Sequence, residues 1–346
     1  MKQILFTILL VFSFYAHSDD FKAHFINVGQ ADATLLEFSK GVVMIDVGAE
    51  NGSLGASRNS LNTYLTDFYQ RRTDLNKTID ILILTHNHYD HYKLILDLSK
   101  DYTIKRIITT KFYLESAKDV VKAAKKEKIK LEFMDYRLMD SLMPKGYELN
   151  LTNLVRPGST IPKLSLYSGK VSVQSHQTIN NESFSKTPFK DPNNHSIVSK
   201  LTYGKTSMLF TGDLKTDGIR YLTAKYRDNL SVFDVDFYHV GHHGAENGTT
   251  QAFLDILTPK IALISAGDTT HRNSGSAWGH GHPRKWTVEL LNNQSSLNKQ
   301  DPIQVHAYPD EEVNPETIEI KKEIYCTCWT GNIVMTVDKD GKYTVQ

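Results

Sequence analysis

The chain has 346 residues, with 40 lysines and arginines against 39 aspartates and glutamates, so its formal net charge is +1. Hydrophobic residues make up 40% and charged residues 23%, which is typical of a globular protein and excludes disordered, collagenous and disulfide-scaffold classes. The near-neutral charge gives no support for a globally basic nucleic-acid binder, although it does not exclude a local basic patch. Because there are 14 histidines and only 2 cysteines, any metal site is expected to use imidazole and carboxylate ligands.

The first 18 residues have the pattern of a signal peptide. Lys2 supplies a positive charge, Ile4 to Tyr15 is an apolar run, and Ala16-His17-Ser18 fits a cleavage site. The apolar run is shorter than the roughly 20 residues that span a membrane. We therefore expect an exported protein, periplasmic or extracellular, without a stable membrane anchor, whose residues 19–346 form a single domain.

Predicted strands and helices alternate through the rest of the chain. Ile79 to Leu84 is an unbroken apolar run, typical of a strand that is buried on both faces of a sheet. The chain closes with a predicted β-hairpin that turns at Asp340-Gly341. The predicted strands are 21–28, 34–38, 42–46, 79–84, 106–110, 129–134, 161–166, 171–175, 196–203, 207–210, 235–240 and 261–265, and the predicted helices are 61–72, 92–100, 116–128, 250–257 and 283–291.

The two cysteines, Cys326 and Cys328, lie in a strand-like run from Ile324 to Trp329. Alternate residues of a strand share one face with their Cα atoms about 7 Å apart, which is beyond comfortable disulfide reach. We therefore expect two thiols on one strand face and no intramolecular disulfide. A two-cysteine metal site or a redox pair is the alternative.

The most informative segment is His86-x-His88-x-Asp90-His91, directly after the apolar run. A loop that leaves a buried strand can direct several side chains into one cavity. Three imidazoles and a carboxylate within six positions suit a divalent metal that accepts nitrogen and oxygen ligands, as in catalytic zinc sites. A single histidine here would be compatible with a polar helix start, whereas this combination predicts a metal site.

Two later segments also place polar residues directly after a predicted strand. In Thr211-Gly212-Asp213 the glycine lets the backbone turn, and the Asp213 carboxylate can bridge two cations or, alternatively, cap a helix. In Val240-Gly241-His242-His243-Gly244 the adjacent histidines diverge, so one is expected to bind metal while the other lines the pocket or orients a neighbour.

These motifs resemble those of the metallo-β-lactamase superfamily. Residues 85–91 reproduce its T-H-x-H-x-D-H signature, and residues 211–213 its T-G-D. Residues 25–33 are similar to the F-x-x-V-G-Q-G-D-A opening of the ComEC-like hydrolase branch and of secreted teichoic-acid phosphorylcholine esterases, with Ala31 at a usual glycine. The segments 193–196, 240–244, 279–283 and 329–333 continue the ComEC-like pattern. The resemblance therefore covers about residues 21–345, and it implies an α/β fold, the four-layer αββα sandwich of this superfamily.

The resemblance also implies two divalent metal ions, zinc or manganese. It assigns His86 and His88 to the first metal, Asp90, His91 and preferentially His243 to the second, and Asp213 as the bridge. The first metal usually has one further histidine from the middle of the chain. His176 and His195 are the two alternatives for that position, and because the ComEC-like pattern often has asparagine near His195, water is the third.

Four residues are expected at the substrate: Asp32, His242, His280 and His282. His280 and His282 lie in a glycine-rich loop before a helix, and a solvated loop is the alternative interpretation for both. His282 is the candidate to protonate the leaving group, and Asp90 and Asp213 act in catalysis by fixing the metals.

The implied reaction is hydrolysis of a phosphodiester by a hydroxide that two metal ions share. DNA, RNA and a choline-phosphate ester are the substrates that the resemblance offers, and no protein partner is evident. The segment from Lys118 to Lys130 has six lysines and two acidic residues. This charge fits the binding of a polyanion, and it fits a solvent-exposed helix face equally well.

The alternative functions are a non-hydrolytic metal-binding or redox protein of the same fold, and a β-lactamase. Redox di-iron members of the superfamily usually replace a histidine of the first motif with an acidic residue, and this sequence keeps all three. The opening and closing motifs match the ComEC-like branch, which disfavours a β-lactamase.

Overall fold

The computed structural model describes residues 20–168 and 176–346. The predicted signal peptide, 1–18, and the predicted strand at 171–175 lie outside the described residues. Within the described residues, two large sheets face each other and helices cover the outer face of each. This is the predicted four-layer αββα sandwich.

The first large sheet has eight strands and mixes parallel with antiparallel pairs. In spatial order its strands are β21 (Tyr343–Val345), β20 (Ile333–Val337), β1 (Phe21–Phe25), β2 (Ala33–Glu37), β3 (Val42–Val47), β5 (Ile81–Ile83), β7 (Arg106–Thr110) and β8 (Lys130–Met134). Antiparallel pairing of β20 with β21 confirms the predicted closing hairpin.

The second large sheet has seven strands. In spatial order they are β19 (Ile324–Cys326), β16 (Ile261–Ile264), β15 (Phe237–His239), β14 (Thr206–Phe210), β13 (Ser199–Tyr203), β10 (Lys163–Leu166) and β9 (Tyr147–Leu149). Three two-stranded sheets complete the described strands: β4 (Thr78–Ile79) with β6 (Thr103–Ile104), β11 (His176–Ile179) with β12 (Glu182–Ser185), and β17 (Lys299–Ala307) with β18 (Glu316–Lys322).

The helices divide between the two outer faces. Those packed on the first sheet are α1 (Leu54–Arg71), α3 (Ile95–Asp101) and α4 (Lys118–Lys126), and those packed on the second are α6 (Thr216–Lys225), α7 (Gln251–Leu257) and α9 (Lys285–Asn293). Short helices at α2 (Tyr89–Tyr92), α5 (Tyr136–Ser141), α8 (Ala277–His280) and α10 (Thr327–Thr330) form parts of the connections. Among the described residues, no helix is long and apolar enough to cross a membrane.

Side-chain alternation in β3 shows why the sheets are buried on both faces. Val43 and Ile45 pack into the core between the two sheets, whereas Val42 and Met44 pack against the helices. An apolar residue at every position therefore satisfies two different cores, since successive side chains of a strand point to opposite faces.

Helix α1 is longer than the sequence predicts, because it begins at Leu54 rather than at residue 61. Its first buried side chain is Ser57, whose hydroxyl donates to the Val28 carbonyl and accepts a hydrogen bond from the Glu50 amide. A buried face that starts with a hydrogen-bonded serine has no apolar signal in the sequence, so hydrophobic periodicity does not detect residues 54–60 of this helix.

The prediction of two free thiols is wrong, because Cys326 and Cys328 form a disulfide. Strand β19 ends at Cys326, and the chain turns into α10 at Thr327. The turn brings the two Cα atoms to 5.1 Å, which is within disulfide reach.

Candidate metal centre

Polar loops from both large sheets meet at one edge of the sandwich. Strands β3 and β5 are parallel in the first sheet, and β14, β15 and β16 are parallel in the second. The carboxyl ends of such strands are where α/β proteins place ligands. The loop after β5 carries the segment 86–91, the loop after β14 carries Asp213, and the loop after β15 carries His242 and His243.

Asp213 is buried and lies among four imidazoles. Nε2 of His91 is 3.2 Å from its Oδ2, and Nε2 of His243 is 3.7 Å from its Oδ1. Nε2 of His86 and Nε2 of His242 are each 3.9 Å from Oδ2. One carboxylate therefore has four imidazole nitrogens around it, which is the placement that a bridging ligand needs.

Asp90 and His88 extend this arrangement. The Asp90 Oδ2 atom is 3.2 Å from Nε2 of His243 and 3.9 Å from Nε2 of His91, so it belongs with these two histidines. Nδ1 of His88 is 3.1 Å from Nε2 of His86. The tertiary structure thus brings together all the side chains predicted as ligands in the motifs at 86–91, 213 and 243.

The tautomers of two histidines are set by acceptors behind their rings. Nδ1 of His91 donates to Oδ2 of Asp46 at 2.8 Å, and Nδ1 of His243 donates to the carbonyl of Ser265 at 2.9 Å. Asp46 is itself held by the amide and hydroxyl of Thr85. When the ring is neutral, its proton is therefore on Nδ1 and the lone pair of Nε2 faces Asp213, which is the form in which histidine binds a metal.

Asp46 is a functional residue that the sequence reasoning missed. Its signal was its position at the carboxyl end of the predicted strand 42–46, the same context that identified Asp213. The residue has a positive φ of 60°, in the left-handed region that non-glycine residues rarely adopt.

Asp32 lies in the cluster rather than in the cavity wall where a substrate-binding residue was predicted. Ligand atoms of Asp32, His91, Asp213 and His243 all lie within 4.8 Å of one another, and all four residues are buried. However, Asp32 Oδ2 approaches Nδ1 of both histidines, at 3.9 and 3.8 Å, and these atoms face away from Asp213. We therefore regard Asp90 as the carboxylate on the metal-binding side and Asp32 as a charge behind the rings, which corrects its predicted role.

The residues of the centre fit a bound cation. Oδ1 of Asp213 and Nε2 of His91 are buried and have no hydrogen-bond partner among the described residues. Buried polar groups are normally satisfied, because each unpaired one costs about 1–3 kcal/mol. A divalent cation would satisfy both atoms, and the nitrogen and oxygen donors are those that zinc and manganese accept.

The buried carboxylates and imidazoles shift one another's pKa. Burial lowers the pKa of His243, but Asp213 and Asp32 outweigh it and raise the pKa to about 9. Burial also opposes protonation of His91, yet Asp213 and Asp46 hold its pKa well above the ordinary value. Burial raises the pKa of Asp213, but the imidazoles hold it well below its usual range. Protons on the imidazoles thus balance the carboxylates, and a bound cation would replace them.

Of the two histidines proposed to complete the first metal, His195 does not enter the centre. The His195 ring stacks on Phe112 with centroids 3.7 Å apart, and its Nε2 donates to the Phe189 carbonyl. This packing holds the imidazole between aromatic residues and outside the cavity wall, which corrects its prediction as a ligand. His176 begins β11, and its side chain lies outside the described part of the chain.

Asn193 occupies the position that the sequence left open. It is buried, lines the cavity, and its Nδ2 is 3.3 Å from Nε2 of His242. Its Oδ1 has no hydrogen-bond partner among the described residues. The sequence signal for this residue was the pair of asparagines before His195. Only the tertiary structure shows which residue of that motif faces the centre.

A cavity of about 530 Å³ opens onto the centre. Its wall contains residues of the centre, the three histidines predicted at the substrate, and three further polar residues. They are His88, Asp90 and Asp213, then His242, His280 and His282, and then Asn193, Lys215 and Arg284. Burial, reinforced by His242 and His243, holds the pKa of His282 well below its ordinary value, so this imidazole is neutral. The wall carries charges of both signs, since Lys215 and Arg284 share it with the carboxylates of Glu246 and Glu311.

A larger cavity of about 880 Å³ lies along α4 and contains no residue of the centre. Its wall has five lysines, Lys111, Lys118, Lys122, Lys125 and Lys126, with Glu115 and the apolar residues Leu114, Val121 and Phe133. We place the chemistry in the smaller cavity, because the paired carboxylates and imidazoles are there.

Comparison with known proteins agrees with this geometry. The sequence profile of the metallo-beta-lactamase superfamily matches residues 26–268. ComE operon protein 3 of Bacillus subtilis (strain 168) is 26% identical over 301 residues, which cover 83% of this chain and 32% of that protein. Competence protein ComA of Neisseria gonorrhoeae is 35% identical over 77 residues, or 22% of this chain and 11% of that protein. The chain thus spans about a third or less of these relatives.

Among solved structures, the metallo-beta-lactamase fold protein YhfI from Bacillus subtilis aligns with a TM-score of 0.40 and 14% identity, and the alignment covers 71% of this chain and 85% of that one.

Proposed function

The chain belongs to the metallo-β-lactamase superfamily, and on this premise we propose that it is an exported phosphodiesterase with two divalent cations, zinc or manganese, as cofactors. The observation that carries the proposal is the buried Asp213 carboxylate, which has four imidazole nitrogens at 3.2 to 3.9 Å. Such a set has no evident structural purpose, since it concentrates charge at the edge of a cavity instead of in a packed core.

Two sets of ligands would hold the cations. His86 and His88, with His242 and Asn193 beside them, form one set, and Asp90, His91 and His243 form the other, with Asp213 common to both. When bound, divalent cations lower the pKa of a water molecule and neutralise charge that develops on a phosphoryl group. The protein's own part is to fix the ligands, through Asp46 behind His91 and the Ser265 carbonyl behind His243.

An anionic substrate would meet two cationic groups in the cavity wall. Lys215 and Arg284 line it, and each is tied by an ion pair, Lys215 to Asp191 at 2.8 Å and Arg284 to Asp310 at 2.9 Å. These pairs hold the two cationic groups in place beside the centre. His282 lines the same wall and is the candidate to contact the leaving group.

Export is part of the proposal and is supported by the pattern of the first 18 residues. N-terminal sequencing of the protein purified from a host periplasm or medium tests it. A first residue of Asp19 supports cleavage after Ser18, and retention of Met1 in cell-associated protein would contradict export.

The function is tested by hydrolysis assays with Mn²⁺ and with Zn²⁺. Bis(p-nitrophenyl) phosphate, linear DNA, RNA, p-nitrophenyl phosphorylcholine and a β-lactam are compared side by side. We expect hydrolysis of at least one phosphodiester and none of the β-lactam. Turnover of the β-lactam alone would favour the β-lactamase alternative, and tightly bound iron with a visible absorbance band would favour the redox alternative.

A variant pair links that activity to the centre. Asp213→Ala should abolish hydrolysis, because it removes the carboxylate that both ligand sets share. Asp217→Ala, four positions further along, removes an exposed carboxylate that pairs with Arg220 and should leave the activity unchanged. Equal activity of the two variants would refute the role of Asp213.

A further inference from the structure

Gln30 ties three loops together in the wall of the cavity. It is buried, its backbone amide donates to Oε2 of Glu50, and its side chain lies between Gly267 and His282. Nε2 of Gln30 is 2.9 Å from Nδ1 of His282, 252 positions away along the chain. Residue 267 has no room for a side chain there, because a Cβ would lie 2.7 Å from the Gln30 amide nitrogen.

The orientation of the Gln30 carboxamide is fixed by Gly267. The backbone amide of Gly267 is a donor and lies 3.2 Å from one end of the carboxamide, so that end must be the oxygen Oε1. The other end is then the NH₂ group, which can only donate. Rotating the carboxamide by half a turn would set its NH₂ group against the N–H of Gly267, so that two donors would face each other.

This orientation decides the state of His282. Since Gln30 donates to Nδ1, that nitrogen must carry a lone pair, which excludes both the Nδ1–H tautomer and the imidazolium. The single ring proton is then on Nε2. Among the described residues no hydrogen bond to His282 Nε2 is found, and the ring lines the cavity.

We propose that Gln30 is a positioning residue that holds His282 as a neutral imidazole with its Nε2–H directed at the substrate. A neutral imidazole does not release this proton in the reaction. It instead donates a hydrogen bond to the substrate oxygen on which negative charge grows, and this stabilises the transition state more than the bound substrate. The role of this tautomer in catalysis rests on the proposed function, whereas the assignment of the tautomer rests on the hydrogen bonds of Gln30.

The tautomer is tested by nitrogen NMR of the full mature chain loaded with zinc, which is diamagnetic. The chemical shifts of the two ring nitrogens distinguish protonated from unprotonated forms, and His282→Asn identifies the signals of this residue. We expect an unprotonated Nδ1 and a protonated Nε2 in the unsubstituted protein. A protonated Nδ1 would overturn the proposal, and this measurement needs neither substrate nor a variant at position 30.

Gln30→Glu replaces the NH₂ donor that faces His282 with an oxygen that accepts hydrogen bonds. Both carboxylate oxygens accept, so one can still receive the Gly267 amide while the other requires a proton on Nδ1 of His282. We expect Nδ1 of His282 to become protonated in this variant. An Nδ1 that stays unprotonated in the folded variant would overturn the assignment of Gln30 as its donor.

Gln30→Met tests the consequence for turnover, provided that a phosphodiester is hydrolysed. Rates are measured on aryl phosphodiesters whose leaving phenols differ in pKa. We expect little loss with the best leaving group and at least about tenfold loss in kcat with the poorest, since one oxyanion donor is worth roughly 10²–10³ in kcat. A loss that is equal for all leaving groups would show a purely structural role and overturn this part of the proposal.

Discussion

Replacing Asp46 by asparagine should weaken metal binding without touching any ligand. Asp46 accepts three hydrogen bonds: Oδ1 from the Thr85 amide at 2.7 Å, and Oδ2 from the Thr85 hydroxyl at 2.7 Å and from Nδ1 of His91 at 2.8 Å. Asparagine can keep the bond to the Thr85 amide, but its NH₂ group then faces His91. Because an NH₂ group only donates, Nδ1 of His91 must become the acceptor and its proton must move to Nε2.

The size of the effect follows from this change of tautomer. Metal binding needs a lone pair on Nε2 with the ring proton on Nδ1, and in the variant this form sets Nδ1–H against the NH₂ group at position 46. Loss of such outer partners typically costs 10–100-fold in metal affinity, which corresponds to about 1.4–2.8 kcal/mol. We expect Asp46→Asn to lose affinity within this range while keeping the αββα fold.

Competition with a chromogenic zinc chelator measures this affinity, and circular dichroism checks the fold. Asp217→Asn is the matched control, since it makes the same chemical change at an exposed carboxylate. An affinity for Asp46→Asn equal to that of the control would refute the reasoning that Asp46 sets the tautomer of His91.

Four further predictions follow from the same structure. The pKa of His243 is about 9, so at pH 7 the metal-free protein carries a proton on this imidazole that cation binding should release. Calorimetry in two buffers of different ionisation enthalpy detects the release, and identical heats of binding in the two buffers would contradict it. The raised pKa also means that the contribution of His243 to metal-free stability is complete below about pH 6.5 and is lost as pH rises through about 9, which urea unfolding at pH 6 and pH 9.5 can show. Gly48→Ala should prevent metal binding or folding, because a Cβ would lie 1.6 Å from the carbonyl oxygen of Asp90. In Gly55→Ala, within α1, the added Cβ meets nothing within 4 Å, so this substitution should raise the free energy of unfolding by about 0.5–1 kcal/mol. Finally, alkylation of the denatured protein should label no cysteine before reduction and two after it, and labelling without reduction would contradict the disulfide.

The sequence by itself determined the elements that are encoded locally. The apolar run around β5 predicted a strand buried on both faces, and the motif at 86–91 placed three imidazoles and a carboxylate at its end. The carboxylate after β14 and the histidines after β15 followed from the same pattern. Each of these conclusions uses residues within one strand and the loop after it, where hydrophobic periodicity and spacing contain the necessary information.

Only the tertiary structure decided how these loops face one another. His242 and His243 are neighbours in sequence and both have positive φ, at 51° and 53°, so no periodic rule predicts which ring reaches Asp90. The spacing of the motifs likewise gave no reason to place Asp32 behind two imidazoles or to enclose His195 between Phe112 and Phe189.

The contact between Gln30 and His282 shows the physical reason most clearly. Their 252-residue separation is bridged by the packing of the two large sheets against each other, and the hydrogen-bond direction between them is then fixed by a third segment at Gly267. A sequence pattern reports which groups are present, whereas the state of a proton depends on which donors and acceptors the folded chain brings within about 3 Å. The histidine motifs therefore indicated a metal centre, but only packing assigned each imidazole its partner and its tautomer.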